Sequence, residues 1–128
     1  MKLLNWAGLG FLLGALVAQA APIDDPFPSR SWPEMAQEYL GSDARWVFDD
    51  QVVVTVPDMA VDAKNVPVKV DATGISSALR VVVIVEHNPI RRVLAFSPKL
   101  ARPVLSFRFK LEESSQVRAA ALDAQGLW

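Results

Sequence analysis

Val104-Leu105-Ser106-Phe107-Arg108-Phe109-Lys110-Leu111 is the stretch whose reading decides the fold. Leu105, Phe107, Phe109 and Leu111 fall on one side of an extended chain, and Ser106, Arg108 and Lys110 on the other. A period of two marks a strand with one face buried and one face wet, the habit of antiparallel sheets. Downstream, Glu112 to Ser115 reads as a polar turn and Gln116 to Leu122 as a further strand, with alanines that weaken its β propensity. Asp123 to Gly126 reads as a turn, and Leu127-Trp128 as the start of one more strand.

The same reading extends upstream. Arg91 to Ser97 is a strand closed by Pro98, and His87-Asn88-Pro89 is a turn, because Asn before Pro favours chain reversal. Leu79 to Glu86 is the most apolar run of the chain, and Thr73-Gly74 is a turn. Val66, Val68 and Val70 alternate with Pro67, Lys69 and Asp71. Arg45 to Asp49 and Gln51 to Val56 read as extended segments rich in Val and aromatics, broken at Asp49-Asp50 and ended by Pro57-Asp58. Roughly six strands joined by short turns, without an alternating βα pattern, predict an all-β antiparallel sandwich over 45–128. The apolar pair at Leu127-Trp128 leads to the expectation that the sandwich lacks its last strand.

Residues 21–44 read as a lead-in and one short helix. Pro22, Pro26 and Pro28 keep the lead-in extended. Ser31 with Glu34 three residues on is a capping-box signature, and Pro33 is tolerated in the first turn. Met35, Tyr39 and Leu40 follow at helical spacing before Gly41, which predicts a helix over about 33–40 with those three side chains facing a core. A helix of two turns cannot stand alone and must pack on the sheets.

Met1 to Ala20 reads as an export signal. Lys2 precedes an apolar stretch from Trp6 to Ala18, which ends in the small-x-small pattern Ala18-Gln19-Ala20. The stretch is short for a bilayer span. The mature chain is expected to begin at Ala21 and to be periplasmic, with no membrane attachment after cleavage.

Composition excludes several functions. The 128 residues carry 13 Lys+Arg against 14 Asp+Glu, a formal net charge of −1, which argues against a nucleic-acid groove. There is no cysteine and a single histidine. Disulfides, thiolate sites and multi-histidine metal centres are therefore out, and neither a metal nor a cofactor is expected. His87 sits at a strand end beside Glu86 and Asn88, where a binding role competes with that of an ordinary solvated turn residue. Asp24-Asp25 and Asp49-Asp50 are adjacent pairs whose side chains point apart on an extended chain. Arg91-Arg92 reads as a solvated strand start, and Trp32 and Trp46 as packing residues. No nucleophile, base and orienting group come together, so no catalytic residue is assigned and the chain is not read as an enzyme.

Several of these segments, in order, resemble a known family. Val52 to Ala60 followed by Asn65 to Val70, then Val81 to Val85 with Glu86-His87-Asn88-Pro89, then Phe107 to Leu111 with Ser115-Gln116-Val117-Arg118-Ala119, are similar to the successive segments of SoxY-type sulfur carriers. The leader Asp25-Pro26-Phe27-Pro28 and the Trp32-Pro33 helix resemble the SoxYZ-like carriers associated with quinoprotein dehydrogenases. The resemblance implies an immunoglobulin-like sandwich, a periplasmic location, a SoxZ-like partner and a covalent sulfur carrier whose cysteine lies in a Gly-rich arm. This sequence has no carrier cysteine, so that role transfers to no position here. What remains is a domain acting through protein contacts, with His87, Asn88 and Pro89 as the partner-contact turn. The alternative is a generic periplasmic immunoglobulin-like binding module, because sandwiches host many functions.

Overall fold

The computed structural model describes residues 24–128. The leader reading of 1–20 and the start at Ala21 lie outside the described residues. Helix α1 (Trp32–Leu40) is followed by six strands: β1 (Val53–Thr55), β2 (Val66–Asp71), β3 (Arg80–Val85), β4 (Arg92–Phe96), β5 (Val104–Phe109) and β6 (Val117–Leu122). They form two three-stranded antiparallel sheets, ordered β1-β2-β5 and β4-β3-β6.

β5 takes its place through the alternation that marks it. Phe109 is buried, with Phe107 and Leu111 packed beside it, while Ser106, Arg108 and Lys110 are exposed. Its neighbour β2 shows the same period: Val66, Val68 and Val70 are buried and Pro67 and Lys69 exposed. β3 does not alternate. Val81, Val83 and Val85 enter the core between the sheets, while Val82 and Ile84 face the opposite way into a second cluster with Trp32, Met35 and Ala36. A strand covered on both faces reads as a continuous apolar run, and each such side chain contributes about 2 kcal/mol by leaving water. The molecule thus has three layers, with α1 laid over the outer face of the β4-β3-β6 sheet.

α1 ends at Gly41, whose φ of 126° suits a residue without Cβ. Met35 is fully buried, and Tyr39 and Leu40 pack on the same cluster as expected. The capping box does not form. Ser31 is the N-cap residue, but its hydroxyl makes no capping bond and donates instead to the Glu86 carboxylate at 2.6 Å. A buried carboxylate needs donors, and a charge-assisted bond outcompetes a neutral cap.

The segment 45–49 is the other departure. It contributes isolated bridges, the parallel one from Arg45 to Leu127 among them, in place of a strand. Trp46 and Phe48 turn inward: Trp46 lies edge-on to Trp32 and to Phe48 at centroid distances of 5.7 and 5.6 Å, and Phe48 is tilted against Trp32 at 6.3 Å. Aromatic packing has taken these residues out of the ladder. Leu127-Trp128 folds back against the same segment. The Trp128 N–H donates to the Arg45 carbonyl and the Val47 N–H to the Trp128 carbonyl, both at 2.9 Å. At the Thr73-Gly74 turn the backbone passes so close to Gln51 that a Cβ on Gly74 would sit 2.7 Å from the Gln51 Cβ.

Candidate functional site

Three places hold side chains arranged for more than packing. The first is the turn after β3. His87 and Pro89 are exposed, and Ile90 beside them is 77% exposed. The His87 main-chain N–H donates to Ser115 Oγ at 2.9 Å. His87 Nδ1 lies 2.9 Å from the Ser114 carbonyl, which only accepts, so Nδ1 carries the proton in this contact. Asn88 is different: it is buried, its Nδ2 donates to the Lys110 carbonyl at 2.8 Å, and its Oδ1 accepts the Glu112 N–H at 3.1 Å. Asn88 therefore clamps the loop after β5 and shapes the turn from beneath, leaving His87, Pro89 and Ile90 as the presented side chains. A shallow polar cleft joins this turn to Glu38, Tyr39, Arg91 and Glu113. Burial, then the Glu38 carboxylate, pushes the Tyr39 phenol above its ordinary pKa.

The second place escaped sequence reasoning. Arg118, on β6, reaches out of the sheet to the lead-in. Its Nη1 and Nη2 donate to the two oxygens of Asp25 at 3.0 and 3.2 Å, and Nη2 also donates to the Phe27 carbonyl and to Gln116 Oε1. The guanidinium lies 5.0 Å over the Trp32 ring. Glu86 faces it, with Oε2 at 3.8 Å from Arg118 Nε, and its Oε1 accepts the hydroxyls of Ser29 and Ser31. Burial raises the Glu86 pKa, but the two hydroxyls and the charges of Arg118 and His87 outweigh it and hold the carboxyl below its ordinary value. Asp25, Glu86 and Arg118 thus pin the lead-in to the sheet. The sequence did carry one signal: Arg118 stands alone among Val117, Ala119, Ala120 and Ala121, where a lone cation in an apolar strand needs partners.

The third place is a trough of about 430 Å³ between the edges of β1 and β6, walled by Phe48, Val54, Ile75, Ala119 and Trp128 among others.

The remaining sequence candidates stay apart. Asp24 is exposed while Asp25 is taken by Arg118, so the pair shares no site. Asp49 accepts the Gln51 N–H in a local turn. Arg92 lies 5.9 Å over the Tyr39 ring, and Arg91 lines the polar cleft. Among the described residues, no three His, Cys, Asp or Glu side chains cluster to hold a metal ion. No helix of the described residues is long and apolar enough to cross a membrane.

Comparison with known families decides between the sandwich readings. The model of the sulfur oxidation protein SoxY matches residues 36–128, most of the chain and all of the sandwich. The chain belongs to the SoxY family. No curated protein matches it in sequence. Among solved structures, the sulfur carrier protein SoxY from Chlorobium limicola f thiosulfatophilum superposes with a TM-score of 0.61 at 18% identity, over 74% of this chain and 84% of that one. The immunoglobulin-like sandwich expected from the sequence is therefore the SoxY fold, here preceded by α1 and the pinned lead-in.

Proposed function

We propose that this SoxY-family domain is exported to the periplasm and serves sulfur-compound oxidation through protein contacts, without itself holding sulfur covalently. The observation that carries the reading is the pairing of a family match over 36–128 with a cysteine count of zero. A persulfide or thiosulfonate adduct needs a thiolate to attack and hold the sulfur. Met35 is buried and Met59 exposed, but a thioether has no ionisable S–H. His87 offers an imidazole already hydrogen-bonded to Ser114, and an imidazole nitrogen forms no stable persulfide.

The contact partner in this reading is a SoxZ-like subunit, in a system linked to a quinoprotein dehydrogenase. The turn at His87 and Pro89 supports it as one contact surface, because both side chains are exposed on a base held rigid by Asn88. The test is intact mass after incubation with thiosulfate, sulfide or polysulfide. An unchanged mass is expected; an adduct in sulfur-sized steps, removed by a reducing thiol, overturns the reading. Co-purification with a SoxZ-like subunit, weakened in His87→Ala, tests the contact surface.

A further inference from the structure

The sequence writes a capping box at Ser31 and Glu34 that the fold leaves unmade. Such a box needs two groups of Ser31: its hydroxyl accepts the Glu34 N–H, and its own N–H donates to the Glu34 carboxylate. Both are spent on the lead-in and its anchor. The Ser31 N–H donates to Ser29 Oγ at 3.2 Å, and the Ser31 hydroxyl donates to Glu86 at 2.6 Å. The backbone is set the same way. Ser31 has φ −86° and ψ −12°, a helical conformation, whereas a capping residue takes the extended region. Turning Ser31 to that region swings the chain before it, so the cap cannot close while the lead-in is pinned.

The lead-in is held chiefly by polar groups. Asp25 takes two bonds from Arg118, the Phe27 carbonyl takes another, and Ser29 donates to Glu86. Pro26, Phe27 and Pro28 are exposed, so little apolar burial opposes release. The hold rests on two carboxylates. Asp25 faces Arg118. Glu86 faces Arg118 from β6, the hydroxyls of Ser29 and Ser31 from the lead-in, and His87 in its own turn. Glu38, Tyr39, Arg91 and Glu113 are its neighbours around the polar cleft. Burial pushes the Glu86 pKa up, but the hydroxyls and the charges of Arg118 and His87 prevail and hold it below its ordinary value. The hold is therefore intact at neutral pH and is lost as pH falls below the usual glutamate range.

We propose that residues 24–30 form a releasable strap and that Ser31 is its two-position latch. With the strap down, Ser31 bonds Ser29 and Glu86. With the strap up, Ser31 turns extended and closes the capping box with Glu34, so α1 stays seated on Val82 and Ile84. Neutralising Asp25 and Glu86 in acid drives the exchange, and release frees the Arg118 Nη groups that Asp25 occupies. A side chain with two mutually exclusive sets of partners is what makes such an element bistable. The device needs neither a partner subunit nor sulfur chemistry, so it stands independently of the SoxZ-like reading.

The test is amide hydrogen exchange on the isotope-labelled protein carrying Asp25→Asn and Glu86→Gln, neutral mimics of both carboxyls. At neutral pH, protection of the Glu34 amide should rise about fivefold over the unmodified protein, the fold-change of an ordinary cap. Trypsin should cut after Arg30, an exposed strap residue, about tenfold faster, while the β3 amides keep their protection. Adding Ser31→Ala should abolish the gain at Glu34 and leave cleavage after Arg30 fast, a separation that general loosening of the protein does not produce. If the double variant does not fold, acidification of the unmodified protein carries the test: Glu34 protection should rise, reversibly, before the β3 amides lose theirs. Unchanged Glu34 protection once cleavage after Arg30 is fast overturns the proposal. So does loss of protection throughout α1 in the double variant, or a single acid transition in which Glu34 and β3 lose protection together.

Discussion

The two faces of β3 are secured in different ways. Toward the other sheet, Val81, Val83 and Val85 meet Val66, Val68, Val70 and Phe109 in a core without a charged group. Toward the helix, Val82 and Ile84 meet Trp32 and Met35, and that layer closes around Asp25, Glu86 and Arg118. The first face spreads its stability over many apolar contacts, each replaceable by a similar one. The second concentrates it in a buried ion pair whose removal leaves a charge stranded. One strand therefore joins a face that yields gradually to a face that fails at a point.

Arg118→Ala should break this contrast most sharply. It strands Glu86 in the interior and frees Asp25, so a loss of about 3–5 kcal/mol is expected in denaturant unfolding. A loss below about 1 kcal/mol would show that the ions contribute nothing on balance. Phe109→Ala tests the other face. Phe109 is the deepest of the β5 side chains but lies on an edge strand, so about 3 kcal/mol is expected, near the low end for a core phenylalanine. Both variants in one chain should be close to additive if the two faces are independent.

On the helix side acid should act through Glu86. Glu86 is held below its ordinary pKa in the folded protein, so the stability it lends is fully present above the usual glutamate value. It is lost as pH falls through the lower folded value. Glu86→Gln should start less stable at neutral pH and show a flatter acid limb, read as melting temperature against pH. An unchanged acid limb would remove Glu86 from this role. The smallest effect belongs to Arg108→Ala on the wet face of β5, where the guanidinium donates to the Asn65 carbonyl at the surface. A change within about 0.5 kcal/mol is expected.

β5 and β2 were legible in the sequence because each has one wet face, which writes its period into alternating residue types. β3 was legible as a strand from its apolar run, but nothing local says that α1 covers its second face. The segment 45–49 looked like a strand because aromatics suit both a ladder and a side-chain cluster, and only the position of Trp32 chooses between them. The ionic pin was hidden for a related reason. Asp25 and Arg118 meet across 93 positions of chain, and Ser31 and Glu86 across 55, so each reads locally as an ordinary polar residue. Of the turn His87-Asn88-Pro89, the sequence showed the reversal but not that Asn88 is spent beneath it.

The placement of the indole rings has an optical consequence. Within the described residues, Trp32, Trp46 and Trp128 all belong to the helix-side cluster, while the aromatics of the inter-sheet core are phenylalanines. Indole emission from these rings therefore reports on one layer and is blind to the other. In a protein produced without residues 1–20, an emission change that precedes the loss of the far-ultraviolet sheet signal on acidification would record the helix and lead-in lifting from a sandwich that is still folded. Coincident transitions would mean that β3 transmits the failure of one face to the other without delay.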